Sequence, residues 1–397
     1  MAYSAKAMSI GASPTLAIDS KAKKLIKEGV NVISFGVGEP DFDTPKHIRE
    51  AAITAINEGF TRYTPAAGII ELRQAICKKF KNDNNLEYVP TDIVVSNGAK
   101  HSLYNAFMAV CNPGDEVIVP APYWVSYPEM IKLADGVPVV LETTEDDDFK
   151  ITAEKLKKAI NPKTKALVLN SPSNPTGMVY SKEELEAIAK VVTDNDLFVI
   201  SDEIYEELIY DGPPHVSIAS LNDKIKDLTI VVNGMSKAYA MTGWRIGYTA
   251  SNAKIASMMG NVQSHATSNP NSIAQKASLA ALEGGKDTVR TMVAEFAKRR
   301  DYMFERINSI ANVSCLRPTG AFYVMMNVSK LYGKTAYGMP INNSDDFASL
   351  LLEKENVALV PGTGFGANLH VRLSYATSLE KIKEGLDRIE RFVSAIK

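Results

Sequence analysis

Between residues 92 and 233 the chain alternates between two hydrophobic periods. Short apolar runs (DIVVS, DEVIVP, VPVVL, KALVLN, LFVIS and LTIVV) read as strands buried on both faces. Between many of them, AKHSLYNAFMAV, SYPEMIKLA, TAEKLKKAI and SKEELEAIAKVV carry helical spacing; the last opens on a capping box, Ser181 with Glu184. This rhythm predicts an α/β fold with a mostly parallel sheet flanked by helices. Upstream, SPTLAIDSKAKKLIKEG predicts a helix capped by Ser13, with Pro14 in its first turn, Ile18, Ala22 and Leu25 on one face, and Gly29 as its stop. VNVISFGVG predicts a strand running into a glycine-rich turn. TPKHIREAAITAINEG predicts a helix with Thr44 as cap, Pro45 at its first position and Gly59 as its stop. After about residue 290 the pattern changes to a long charged helix, short strands (AFYVMMNV, VALVP, HVRLSYA) and a C-terminal helix, a smaller α+β unit. We expect a large unit over residues 46–290 and a small one made of 1–45 and 291–397.

A chain of 397 residues is too long for one core and suits two. Its hydrophobic content of 45%, charged content of 23% and net charge of −2 favour neither nucleic acid nor an anionic membrane as a partner. The three cysteines, Cys77, Cys111 and Cys315, are scattered and odd in number, which fits a reducing compartment better than a disulfide framework. MAYSAKAMSIGASP has no apolar signal core, and no membrane span is visible, so the expected location is cytoplasmic. The absence of CxxC and HExxH argues against metal chemistry.

Ligands of open α/β sheets bind beyond the carboxyl ends of the strands. DIVVS is followed by Asn97-Gly98-Ala99, and DEVIVP by Ala121-Pro122-Tyr123-Trp124. KALVLN runs into SPSNPTG, LFVIS ends at Asp202 with Tyr205 three residues on, and LTIVVNG leads to Ser236-Lys237. Singly, each has an ordinary reading. Asp202 can cap a helix, Asn174-Pro175-Thr176-Gly177 can be a turn, Trp124 and Tyr205 can be core aromatics, Lys237 can reach water, and Arg245 and Arg372 can be structural ion-pair partners. Jointly they fall on one edge of one sheet. GTGFG (362–366) is set aside as a dinucleotide fingerprint, because it lies late and leads into a strand.

SPSNPTG, SDEIYEEL, SKAYAMTGWRIGY and HVRLSYA, in this order, resemble class I aminotransferases, fold-type-I enzymes dependent on pyridoxal 5'-phosphate (PLP). GEPDFDTP, YTPAAGIIELR and APYWVSYPEM extend the resemblance over the whole chain. It is strongest to the bacterial aspartate aminotransferases of the branch that also contains prephenate aminotransferases. The resemblance implies that Lys237 forms a Schiff base with PLP and moves a proton, as catalytic residue. It implies that Asp202 pairs with the pyridine nitrogen, that Tyr205 and Asn174 bond the phenolic oxygen, and that Trp124 stacks on the ring. Ser236, Arg245 and the amides at Gly98 and Ala99 would hold the phosphate, where a helix N-terminus attracts anions. Arg372, helped by Asn174 and the backbone at Gly38, would clamp the substrate α-carboxylate. The Asn174–Pro175 bond resembles one that is cis in the family. Tyr63 resembles a residue that reaches the cofactor of a neighbouring subunit, which implies a homodimer.

Better-known aspartate aminotransferases bind the side-chain carboxylate with an arginine ahead of the long helix. Here no arginine occurs between Arg245 and Arg290. Lys100, in a helical first turn where the dipole disfavours a cation, is the candidate replacement, with Ser13 and Thr15 as polar helpers or simple helix caps. The N-terminal helix can then close over substrate as a lid. The implied reaction takes L-aspartate and 2-oxoglutarate to oxaloacetate and L-glutamate by a ping-pong route, with prephenate as a second acceptor. Alternatives on the same fold are an alanine or aromatic aminotransferase and a β-lyase. A non-catalytic PLP-sensing regulator is disfavoured, because motifs begin by residue 13 and no basic module precedes them.

Overall fold

Strand–helix alternation is realised as a seven-stranded sheet. The computed structural model describes residues 3–12, 14–36 and 38–397, and only the backbone of Pro14, Thr15, Leu16 and Asp19. Strands β1 (Ile93–Ser96), β2 (Glu116–Ala121), β3 (Val137–Glu142), β4 (Thr164–Asn170), β5 (Phe198–Asp202), β6 (Thr229–Gly234) and β7 (Gly247–Ala250) lie in the order β1-β7-β6-β5-β4-β2-β3. All run parallel except β7, which is antiparallel to both β1 and β6. Alternate residues serve opposite cores: Val94, Val117, Val168, Ile200 and Ile230 face one, while Ile93, Ile118, Leu167, Val199 and Val231 face the others. Burial on both faces explains why these strands are continuous apolar runs, except in edge strand β3, where Val137 and Val140 are exposed against expectation.

β7 was not expected. Its residues, GYTA, are short and include glycine and alanine, which carry no strand signal. The helices Ala253–Ala266 and Ser272–Glu283 likewise lie outside the elements that the sequence pattern predicts. Thr44 is a correction. Pro45 occupies the cap position of helix Lys46–Asn57 with no side-chain cap bond, while Thr44 donates to the Ala240 carbonyl at 2.7 Å and accepts from Trp244 Nε1 at 3.0 Å. Gly59 does follow that helix with φ of 72°. The capping box forms, with Glu184 N to Ser181 Oγ at 3.2 Å and Ser181 N to Glu184 Oε2 at 2.7 Å.

A second sheet, of β8 (Ser314–Cys315), β9 (Tyr323–Asn327), β10 (Val360–Pro361) and β11 (His370–Ser374), is antiparallel in the order β10-β11-β9-β8. A short strand at Ile33–Ser34 pairs with Val357–Ala358 rather than with the large sheet, and Ser374 N donates to Phe35 O at 2.9 Å. Helix Pro14–Lys27 packs Ala22 against Leu352 and Ala358. We propose on these contacts that 1–45 joins 291–397 in one unit beside 46–290. Ser13 lies outside the described residues, as does the side chain of Thr15, so the cap and helper roles expected of them fall there too. Among the described residues no helix is long and apolar enough to cross a membrane.

Candidate active site

Register places the unusual residues at one level. Ser96 pairs with Gly247 and Gly247 with Gly234; Asn170 pairs with Asp202. The carboxyl ends of β1, β4, β5 and β6 therefore share an edge. Because β7 runs backwards, its amino end returns to the same edge. The loop between β6 and β7 thus delivers both Lys237 and Arg245 to it.

A cavity of about 450 Å³ opens there, large enough for a cofactor and a small substrate. Its lining includes Gly38, Ala99, Lys100, Trp124, Asn174, Asp202, Tyr205, Ser236, Lys237, Arg245 and Arg372. Gly98 stands beside it as the cap of helix Ala99–Val110. Tyr63 lies apart from that lining and is 91% exposed. The sequence did not single out Tyr127, Tyr323, Gly36, Glu39 or Asn170, which also serve the site. Tyr127 follows Trp124 by three residues, the one local signal available.

Asp202 is buried at the end of β5. Tyr127 donates to its Oδ2 at 2.7 Å, and the Ile204 amide donates to its Oδ1 at 3.3 Å. Burial nevertheless dominates and pushes the carboxyl up to about 6. The next residue faces away: Glu203 accepts from Ser201 and Ser217 and meets His215 at 3.0 Å, while Glu206 accepts from Lys79, Asn84 and Asn233. Glu203, Glu206 and His215 come close enough to hold a metal ion, yet their carboxylate oxygens already have protein donors. This network anchors the segment that carries Asp202 and Tyr205.

Lys237 donates to the Gly38 carbonyl and stands 5.6 Å from the Tyr205 ring centre and 5.5 Å from that of Phe322. Burial, with Arg372 and Arg245 as neighbouring cations, lowers its amine to about 8. Roughly one molecule in ten then carries a neutral amine at pH 7, against about one in three thousand for an ordinary lysine. Arg372 is 3% exposed. Its guanidinium donates to Asn174 Oδ1 at 2.9 Å and to Gly36 O at 2.8 Å, while its buried Nε has no partner among the described residues. Asn174 is in turn fixed by Asn170 Oδ1, at 2.8 Å from its amide, and the Asn174–Pro175 bond is cis.

At the far end of β1, Gly98 has φ of 87°, and a Cβ there would overlap the Arg245 guanidinium. Likewise, a Cβ on Gly247 would overlap the amide of Ala99. Main chain and the Arg245 guanidinium thus crowd the amino end of helix Ala99–Val110; Gly98 N donates to Ser96 O at 2.8 Å, which leaves the helix dipole and the first-turn amides from Ala99 on for an anion. Lys100 lies in its first turn, with Nζ 4.8 Å from the Trp124 ring centre; burial and Arg245 lower its amine. Cations Lys23, Lys100, Lys237, Arg245 and Arg372 line the cavity against the acids Glu39 and Asp202.

A mostly parallel sheet with a buried lysine of lowered basicity, a buried carboxylate and a glycine-walled helix end at one edge defines a PLP-dependent transferase of fold type I. Residues 30–389 match the model of aminotransferase class I and II, and the chain belongs to that family. It is 51% identical over 381 residues, 96% of each chain, to the aspartate aminotransferase of Bacillus sp. (strain YM-2). It is 47% identical to the aspartate/prephenate aminotransferase of Nitrosomonas europaea, over 99% of this chain and all of that one. Among solved structures, the aspartate aminotransferase of Rhizobium meliloti superposes with a TM-score of 0.96 at 42% identity over the full length of both. That of Thermus thermophilus with maleate gives 0.93 at 43% identity, over 99% of this chain and all of that one. PLP is the family's cofactor, and the residues fit it: the glycine-walled helix end suits a phosphate, the depressed Lys237 amine suits an aldehyde, and buried Asp202 suits a ring nitrogen.

The Lys237 value sets a pH dependence. Since protonation blocks the amine, apoprotein should capture PLP about tenfold faster per pH unit up to about 8 and level off above it. Stopped-flow absorbance checks this; a rate still climbing steeply at pH 10 would mean an unshifted lysine.

Proposed function

We propose that the protein catalyses transamination between L-aspartate and 2-oxoglutarate, giving oxaloacetate and L-glutamate in two half-reactions. The observation that carries the reading is the cation-lined cavity, in which three separate positive centres (Arg245, Arg372, Lys100) match one phosphate and two carboxylates. Bound PLP supplies an aldehyde that condenses with amines and a ring that accepts the electron pair left at the substrate Cα. Lys237 Nζ is the nucleophile toward that aldehyde and the base that moves the Cα proton. Asp202 holds a proton on the ring nitrogen, with Tyr127 orienting the carboxylate. Tyr205 and Asn174 bond the phenolic oxygen, and Trp124 covers the ring. Ser236, Arg245 and the amide at Ala99 hold the phosphate, with Gly98, whose own amide bonds Ser96 O, leaving room beside it. Arg372, with Asn174 and Gly38, orients the α-carboxylate, and Lys100 takes the side-chain carboxylate, with Ser13 and Thr15 as polar helpers. Tyr63, exposed here, reaches the phosphate in a second copy, making the working unit a homodimer of a cytoplasmic enzyme. Prephenate is a further acceptor, on the likeness to relatives named for it.

Single amino acids mixed with holoenzyme test this through the cofactor's visible absorbance. Rapid change with aspartate and glutamate but not alanine supports the reading; an inert spectrum with every amino acid rejects it. Lys100→Ala should weaken aspartate by about tenfold to a hundredfold, the worth of a charge-assisted bond, and leave alanine nearly untouched. Equal losses for both would remove Lys100 from the substrate site.

A further inference from the structure

Tyr323 lines the cavity from β9, in the other sheet, and is 1% exposed. Its hydroxyl lies 2.9 Å from that of Tyr205, with the two rings edge to face at 5.8 Å. A Cβ at Gly38 would come within 2.6 Å of the same hydroxyl. Its ring centre lies 4.5 Å from the guanidinium carbon of Arg372. That contact follows from strand register: Met325 pairs with Arg372, so Tyr323, two residues along, is a diagonal neighbour on the same face.

We infer that Tyr323 is a positioning residue for both halves of the site: its hydroxyl sets the direction in which Tyr205 donates, and its ring holds the Arg372 guanidinium ready for a carboxylate. The inference deepens the proposed transamination and rests on the roles given there to Tyr205 and Arg372. Each tyrosine has one hydroxyl proton, and the pair shares one hydrogen bond. Were Tyr205 to donate to Tyr323, it would have no proton left for the cofactor's phenolic oxygen. The Arg372 guanidinium lies 4.5 Å from the Tyr323 ring centre, closer than the 5.6 Å between Lys237 and that of Tyr205. A lysine joined to the cofactor no longer faces Tyr205 as a free ammonium, so the Tyr323 hydroxyl is the better donor of the two. Tyr323 then donates, Tyr205 accepts, and the Tyr205 proton is released toward the cavity. A bond accepted by Tyr205 also strengthens the bond it gives. A plain core aromatic would need neither the hydroxyl nor the ring-to-guanidinium contact.

The test compares holoenzymes carrying Tyr323→Phe or Tyr323→Leu with the parent protein. Two readouts are followed: the pH midpoint of the bound cofactor's visible band, and affinity for maleate, a dicarboxylate with no amino group to transfer. A weaker donor leaves the phenolic oxygen more basic, so Tyr323→Phe should raise the midpoint by about half a unit. The same variant should keep maleate affinity within about twofold, since the ring remains. Tyr323→Leu should show the same shift and bind maleate about tenfold more weakly, the worth of a desolvated cation–ring contact. Tyr323→Met replaces it should the leucine variant not fold. A Tyr323→Phe midpoint within about 0.1 unit of the parent's overturns the hydroxyl's role. Parent-like maleate binding without the ring overturns the other half. If the parent itself shows no pH-dependent band or no maleate binding, the underlying reading falls and takes this one with it, so the two failures are told apart.

Discussion

Lys237→Ala should lower kcat for aspartate by at least about 10⁴-fold, because in the proposed mechanism one side chain provides both the nucleophile and the proton carrier. Alanine at this place also removes the donor to Gly38 and the charge beside Arg372 and Arg245, so the variant should still fold and still bind PLP through its phosphate site. What it should lose is covalent attachment. Borohydride treatment of the parent followed by peptide mass spectrometry should find the modified peptide at Lys237, and the variant should release all its PLP on denaturation. Supplied methylamine offers a further check, since an external base of the right size should restore part of the proton transfer. A variant retaining a tenth or more of parental kcat would mean that another group moves the proton, and the arrangement drawn around Lys237 would have to be abandoned.

Arg372→Lys should reduce kcat/KM for aspartate by about 30-fold to several thousandfold, the range for disturbing a buried charge that pairs with another. Lysine keeps the charge but cannot present two parallel donors to a carboxylate. It also cannot keep both Asn174 Oδ1 and Gly36 O satisfied in their present positions. Because every amino acid carries the α-carboxylate, alanine and glutamate should suffer alike. That pattern separates Arg372 from Lys100, whose loss should fall on dicarboxylates alone. Steady-state kinetics with the three amino acids decide the matter; an alanine reaction left unharmed would place Arg372 outside the α-carboxylate site.

The central strands β4, β5 and β6 were legible because they are buried along almost their whole length and so consist of unbroken apolar runs. The site was legible for a related reason: a lysine after VVNG or an aspartate after FVIS stands out against apolar neighbours. Tyr127 and Tyr323 carried no such contrast, since a tyrosine among apolar residues reads as core, and their worth lies in hydroxyl partners 75 and 118 residues away. The polarity of β7 was invisible too, although it alone explains how Arg245 returns to the lysine's edge. Thr44 looked like a cap because threonine before proline usually is one; long-range bonds to Ala240 and from Trp244 outcompeted that local role.

At Gly98 and Gly247 the main chain of one strand end abuts that of its neighbour. A side chain added at either glycine would have to displace the Arg245 guanidinium or the Ala99 amide, so that side of the cleft tolerates little change. The walls built from side chains such as Glu39 and Lys100 can be altered one residue at a time. New substrate preferences in such a scaffold should therefore come more readily from change on those walls than from change at the two glycines.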